Sequence, residues 1–88
     1  MTEQGRYEIK MHKEVAKAYK KLPQHVQVTL DNLAEELTTN PRPRRKGFYP
    51  IDKNLHRGRL GRKHRIHWMI DDVKRTITII RVGTREGM

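Results

Sequence analysis

Cysteine is absent from the 88 residues. Disulfides and thiolate metal sites are therefore excluded, and a reducing compartment is compatible. Apolar residues make up only 34% of the chain, so the single core that a chain of this length supports must be modest. No apolar run approaches the roughly 20 residues of a membrane helix. The opening stretch, MTEQGRYEIK, lacks the apolar segment of a secretory signal. A cytoplasmic protein of one domain, residues 1–88, with no membrane partner is expected. Internal repeats and low-complexity segments are also missing.

Acidic residues are scarce and unevenly placed. Residues 1–41 hold six Lys/Arg and six Asp/Glu, and are neutral. Residues 42–88 hold fourteen Lys/Arg against four Asp/Glu, which is the whole formal charge of +10. A neutral half joined to an arginine-rich half points to an anionic partner, nucleic acid first, rather than to a surface that is charged only for solubility.

The first half reads as scaffold. In Arg6–Met11, Tyr7, Ile9 and Met11 alternate with charged residues, the pattern of a half-buried strand. From His12 to Leu22 the spacing turns helical, with Val15, Ala18, Tyr19 and Leu22 on one stripe and lysines opposite. Pro23 suits the first position of a second helix. Val26, Leu30, Leu33 and Leu37 then recur at helical steps, and Asn40 before Pro41 ends the pattern. The short link between the two stripes predicts a helical hairpin.

Asn40–Lys46, NPRPRRK, predicts an extended, exposed connection. Its Arg42, Arg44, Arg45 and Lys46 either hold phosphates or keep a loop in water. In the following GFYPIDKN segment, Phe48, Tyr49 and Ile51 read as satellite core rather than as platforms for stacked bases.

The second half carries three consecutive strands. Leu55–Leu60 places Arg57 and Arg59 two residues apart, hence on one face. In Arg65–Ile70, the residues Ile66, Trp68 and Ile70 face a core, while Arg65, His67 and Met69 face away. Thr76–Val82, TITIIRV, is rich in β-branched residues. The polar DDVK before it is a hairpin connection, where turn chemistry accounts for Asp71 and Asp72. The expected fold is α+β, in the order β-α-α-β-β-β: a small antiparallel sheet with a helical hairpin on one face. Pairing in sequence order would bring Arg57, Arg59, Arg65 and Arg85 together on the open face. Guanidinium groups there suit a phosphate backbone, because they stay charged and donate in a planar fork.

Three of the five histidines, His56, His64 and His67, lie in the basic half. His64 and His67 are three apart, which points them to opposite faces of a strand, and no acid interleaves with them. A metal site is not expected, and no cofactor. His67 shares the face of Arg65. Neighbouring arginines should lower its pKa and leave it neutral, able to accept a proton; the alternative is a histidine that only fills an open face. Trp68 reads as a core anchor.

Taken together, these residues resemble the RelE/ParE toxin superfamily of bacterial and archaeal toxin–antitoxin systems, on the RelE side. The resemblance runs through the strand Tyr7–Met11, the KEVAKAYKKLP stretch from Lys13 to Pro23, and Arg57-Gly58-Arg59-Leu60-Gly61. It continues through Arg65–Asp71 and Arg81-Val82-Gly83-Thr84-Arg85. It implies the β-α-α-β-β-β fold and a ribosome-dependent mRNA endoribonuclease. Such toxins enter the ribosomal A site of the small subunit, against rRNA, and make the 2′-hydroxyl attack the adjacent phosphate. By position, Arg57 and Arg59 match the paired basic residues of the first strand after the helices. Arg65 matches the arginine opening the next strand, and Arg85 the arginine after the VG pair. Around these catalytic candidates and His67, RNA-binding roles fall to Arg42, Arg44, Arg45, Lys46, His56, Arg62, Lys63, His64 and Arg81. A cognate antitoxin with an acidic, partly disordered segment is the implied protein partner.

Two departures stand out. The tyrosine that these toxins often carry beyond the last arginine is missing, and Arg62-Lys63-His64 makes a longer, more basic turn. His67, His56 or His64 would have to act as acid or base, or activity would be weak or lost. The alternatives are a non-catalytic RNA- or ribosome-binding relative and a ParE-like inhibitor of DNA gyrase.

Overall fold

The computed structural model describes residues 6–84; Arg85, one of the expected site residues, lies outside them. The chain forms β1 (Glu8–Met11), α1 (Lys13–Lys21), α2 (Gln24–Leu37), β2 (Tyr49–Asp52), β3 (Leu55–Leu60), β4 (His64–Asp71) and β5 (Thr76–Thr84). The five strands make one sheet in the order β1-β5-β4-β3-β2. No helix among the described residues is long and apolar enough to cross a membrane.

Both helices form where their stripes predict. The His12 Nδ1 accepts a hydrogen bond from the Glu14 N–H and so satisfies one of the free donors that every helix start exposes. Pro23 sits one position earlier than the sequence suggests, as the cap of α2 rather than its first residue. The hairpin is tied by the Tyr19 hydroxyl, which donates to Asp31, and by the Gln27 amide, which donates to the Tyr19 carbonyl. Val15, Val26, Leu30, Leu33 and Leu37 bury against Leu60, Ile66, Trp68, Ile70, Ile77 and Ile79 of the sheet. Trp68, fully buried on the central strand β4, donates from its indole N–H to the Pro41 carbonyl.

The α+β arrangement, a helical hairpin on one face of a small sheet, is as the sequence predicts. Three features differ. The sheet is mixed, because β1 runs parallel to β5 at its edge, with Ile9 opposite Ile77. Only β2 to β5 are antiparallel neighbours. A further strand, β2, adds to the other edge and pairs Tyr49 with Arg57 and Pro50 with His56. A proline is tolerated there because an edge strand has one side free of ladder bonds. Finally, the Pro-rich connection is pinned rather than exposed throughout. Pro43 is fully buried. Arg42 reaches Asp72 through both terminal nitrogens, at 3.3 and 3.0 Å. Arg45 grips Glu36 at 2.7 and 2.8 Å and lies 4.4 Å over the Phe48 ring.

Candidate nucleic-acid interface

The helices cover one face of the sheet. On the other face, strand pairing sorts the side chains into rows. Tyr49 of β2 lies opposite Arg57 of β3. Arg57 lies opposite His67 of β4, and His67 opposite Arg81 of β5. Partners directly opposite one another project to the same face, so these four side chains form one row across four strands. Neighbouring strands are about 4.8 Å apart, so the row spans about 14 Å. A second row runs beside it, from Arg59 to Arg65 to Gly83.

Arg81 joins the row through a bulge. His67 pairs with Arg81, but the next residue, Trp68, pairs with Ile79, which leaves Ile80 as an extra residue in β5. Ile77 and Ile79 face the core. Strict alternation would send Arg81 there too. The bulge shifts the phase by one residue, leaves Arg81 exposed and leans Val82 on the core instead.

Among the described residues, Arg57, Arg59, Arg65 and Arg81 have no carboxylate within ion-pair distance; the ion pairs present engage Arg6, Arg42 and Arg45. The Arg57 Nε, the Arg59 Nε and the Arg65 Nη1 are buried without a hydrogen-bond acceptor. Buried donors are nearly always paired, so these three leave donor capacity unused on the side of the sheet away from the helices. Asp71, the acid of β4, lies four residues beyond His67, about 13 Å along the strand. Its carboxylate is occupied in the turn, where Oδ1 accepts from the Val73 and Lys74 N–H groups.

His67 is the one histidine of the row. Partial burial lowers its pKa, and the Arg57 and Arg81 guanidiniums on either side lower it further. The imidazole is therefore neutral at neutral pH and able to take a proton. His56 and His64 share the opposite face with Leu60 and Ile66, by strand alternation and by the pairing of Leu60 with His64. His56 is buried, its ring centre 5.7 Å from that of Trp68 and tilted by 31°, and burial followed by Arg42 lowers its pKa. Neither histidine joins the arginine row.

The other expected RNA-binding residues scatter. Arg42 and Arg45 are committed to Asp72 and Glu36. Asp72 is held further down in pKa by a hydrogen bond from the Tyr7 hydroxyl, after that from Arg42. Arg44 lines a cavity of about 760 Å³ with Pro43, Phe48, Pro50 and His56. None of Arg57, Arg65, His67 and Arg81 borders it. Lys46 is exposed in the linker, and Arg62 and Lys63 are exposed at the β3–β4 turn, beyond Arg59 and Arg65. Arg59 leans away from the row: its stem lies across Gly47, whose φ of +88° and missing Cβ make room for it.

Tyr49 and Ile51, both read as satellite core, are instead exposed on the edge strand β2. Phe48 does pack on Trp68, with ring centroids 6.3 Å apart. Tyr49, one residue on, points to the opposite face, 48% exposed, with the Arg57 guanidinium 5.3 Å from its ring centre. The register of a strand that the sequence did not reveal decides its face.

No family model and no curated protein matches the sequence. Solved structures do match. The chain is 27% identical to a chain of the archaeal RelE–RelB complex from Pyrococcus horikoshii, with a TM-score of 0.78 over 91% of this chain and 96% of that one. A variant of the Escherichia coli toxin RelE in the free state is 20% identical, with a TM-score of 0.78 over 93% and 86%. The RelBE2 toxin–antitoxin complex of Mycobacterium tuberculosis is 21% identical, with a TM-score of 0.71 over 91% and 99%. The fold is thus that of toxins from toxin–antitoxin pairs. Within that class the fold is similar to that of the RelE toxins.

Proposed function

We propose that this chain is the toxin of a toxin–antitoxin pair, a cytoplasmic endoribonuclease that cuts mRNA in the ribosomal A site. The observation that carries the reading is the row Arg57–His67–Arg81, with Arg65 beside it, unpaired with any carboxylate among the described residues. In the reaction, neutral His67 takes the proton of a ribose 2′-hydroxyl. The 2′-oxygen bonds to the adjacent phosphorus, and the bond from phosphorus to the 5′-oxygen breaks. The products are a 2′,3′-cyclic phosphate and a 5′-hydroxyl, whose proton comes from solvent. Arg57 and Arg65 hold the non-bridging oxygens, where charge grows in the transition state and preorganised guanidiniums stabilise it most. Arg59 and Arg81 hold neighbouring backbone, and Arg85 adds a further cation. The need for a 2′-hydroxyl restricts cleavage to RNA. An acidic antitoxin segment that covers the cationic face would silence the protein.

Cleavage on purified translating ribosomes, mapped by primer extension, tests this. Cuts at A-site codons should require the ribosome and vanish in Arg65→Ala, while Arg44→Ala, altered in the linker, keeps most activity. Equal losses in the two variants would overturn the assignment of Arg65. Intact mRNA with tight, salt-sensitive RNA binding would replace the enzyme with a non-catalytic binding relative. Intact mRNA without binding would favour the gyrase-inhibitor branch of the superfamily, read by a supercoiling assay.

A further inference from the structure

We infer that Tyr49 forms a nucleobase subsite at the β2 end of the row, where a base of single-stranded RNA stacks on the phenol ring while Arg57 holds the phosphate beside it. This rests on the RNA reading above and adds to it a place for a base.

Three observations converge. Tyr49 lies opposite Arg57 in the sheet, so ring and guanidinium project to the same open face. The ring is 48% exposed, although the aromatic before it, Phe48, is packed against Trp68. The Arg57 guanidinium lies 5.3 Å from the ring centre. A cation against one side of an aromatic ring leaves the other side for a planar partner, and Arg, ring and base then stack in sequence. The position at the sheet edge matters as well. Among the described residues β2 has β3 on one side and no strand on the other, so a base can reach the ring without displacing backbone. Cross-strand geometry puts the Tyr49 and Arg57 Cβ atoms about 5 Å apart, within the reach of one nucleotide from its phosphate to its base. Every base offers a π-face, so the subsite is tolerant of sequence.

The test is equilibrium binding of a short oligoribonucleotide, 2′-O-methylated so that it cannot be cut, followed by fluorescence anisotropy across a salt series. Tyr49→Phe should bind like the parent protein. Tyr49→Ala and Tyr49→Leu should each weaken binding by about 5- to 150-fold, with the salt slope unchanged because no charge is lost. Arg57→Gln should instead flatten the slope by about 0.7. Emission of Trp68, the single tryptophan and fully buried, reports whether each variant is folded. Tyr49→Leu binding as tightly as the parent would reduce the ring to apolar cover. Tyr49→Phe as weak as Tyr49→Ala would make the hydroxyl, not the ring, the contact. An unchanged Tyr49→Ala, with the Arg57→Gln slope still altered, would overturn the subsite and leave the RNA reading standing. Absence of salt-dependent RNA binding by the parent protein would overturn both.

Discussion

Replacing Gly58 by alanine should destabilise the protein, and the structure sets the size of the loss. Gly58 stands between Arg57 and Arg59 but faces the core. A Cβ there would come within 2.6 and 2.8 Å of the Phe48 ring and 3.1 Å of Trp68. Ordinary carbon contacts lie near 3.5–4.0 Å, so the Phe48 ring must retreat by about 1 Å. Its room to do so is limited, because Arg45 covers it at 4.4 Å and Arg45 is itself clamped to Glu36. Overpacking of this kind costs about 1–3 kcal/mol. Loss of glycine's freedom in the unfolded chain returns about 0.4–1 kcal/mol. The midpoints of these ranges leave a net loss of about 1.3 kcal/mol, and in a domain of this size each kcal/mol moves Tm by about 4–8 °C. Thermal unfolding followed by circular dichroism should therefore show a Tm about 5–10 °C lower. Combining the change with Phe48→Leu should recover part of the loss, because the two sites share one volume. A Gly58→Ala protein as stable as the parent would refute the reasoning and detach the R-G-R spacing from the aromatic layer beneath it.

Two further predictions concern pH. Cleavage that uses neutral His67 as the base should hold its rate below the ordinary histidine pKa of 6.5, since burial, Arg57 and Arg81 all lower the value; Arg81→Gln should move the acid limb of the rate profile upward, and an unmoved limb would remove His67 as the base. Stability should fall on acidification through the same region. His56 and His67 both have lowered pKa values in the folded state, so just below pH 6.5 the unfolded chain binds protons that the folded chain does not, and the fold loses ground as pH drops. The Tm at pH 7 and at pH 5.5 measures this, and His56→Gln should reduce the difference. A Tm that rises on acidification would contradict the directions of both shifts.

Much of this fold is legible in hydrophobic period. The stripe from Val26 to Leu37 marks α2, and the alternation of Ile66, Trp68 and Ile70 with Arg65, His67 and Met69 sorts β4 into a core face and an open face. Period carries no information on pairing direction, so the parallel docking of β1 beside β5 is not visible in it. It also breaks at bulges. TITIIRV read in strict alternation directs Arg81 inward, and only the extra residue Ile80 turns it out. β2 escapes because Tyr49-Pro50-Ile51-Asp52 is short, contains a proline and is exposed along its whole length. With β2 unseen, Tyr49 could not be assigned to a face. The linker arginines escape for another reason: their partners are chosen by tertiary structure, and Asp72 is thirty residues from Arg42. Charge alone could not separate arginines that fasten the linker from those left open on the sheet.

The place of β1 has a consequence for the order in which the molecule assembles. Strands β2 to β5 can pair as successive hairpins, each with the segment made just before it. β1 cannot; its neighbour is the last of the described strands, and Glu8 waits for Thr76. As the chain emerges from its amino end, the helical hairpin is complete while every strand of the sheet except β1 is still to come. The open face is unfinished for as long, because Arg81 arrives on β5. Closure of so long a loop makes folding slow compared with a helical bundle of equal size. A partly made chain therefore presents apolar helix stripes before it presents its row of cations.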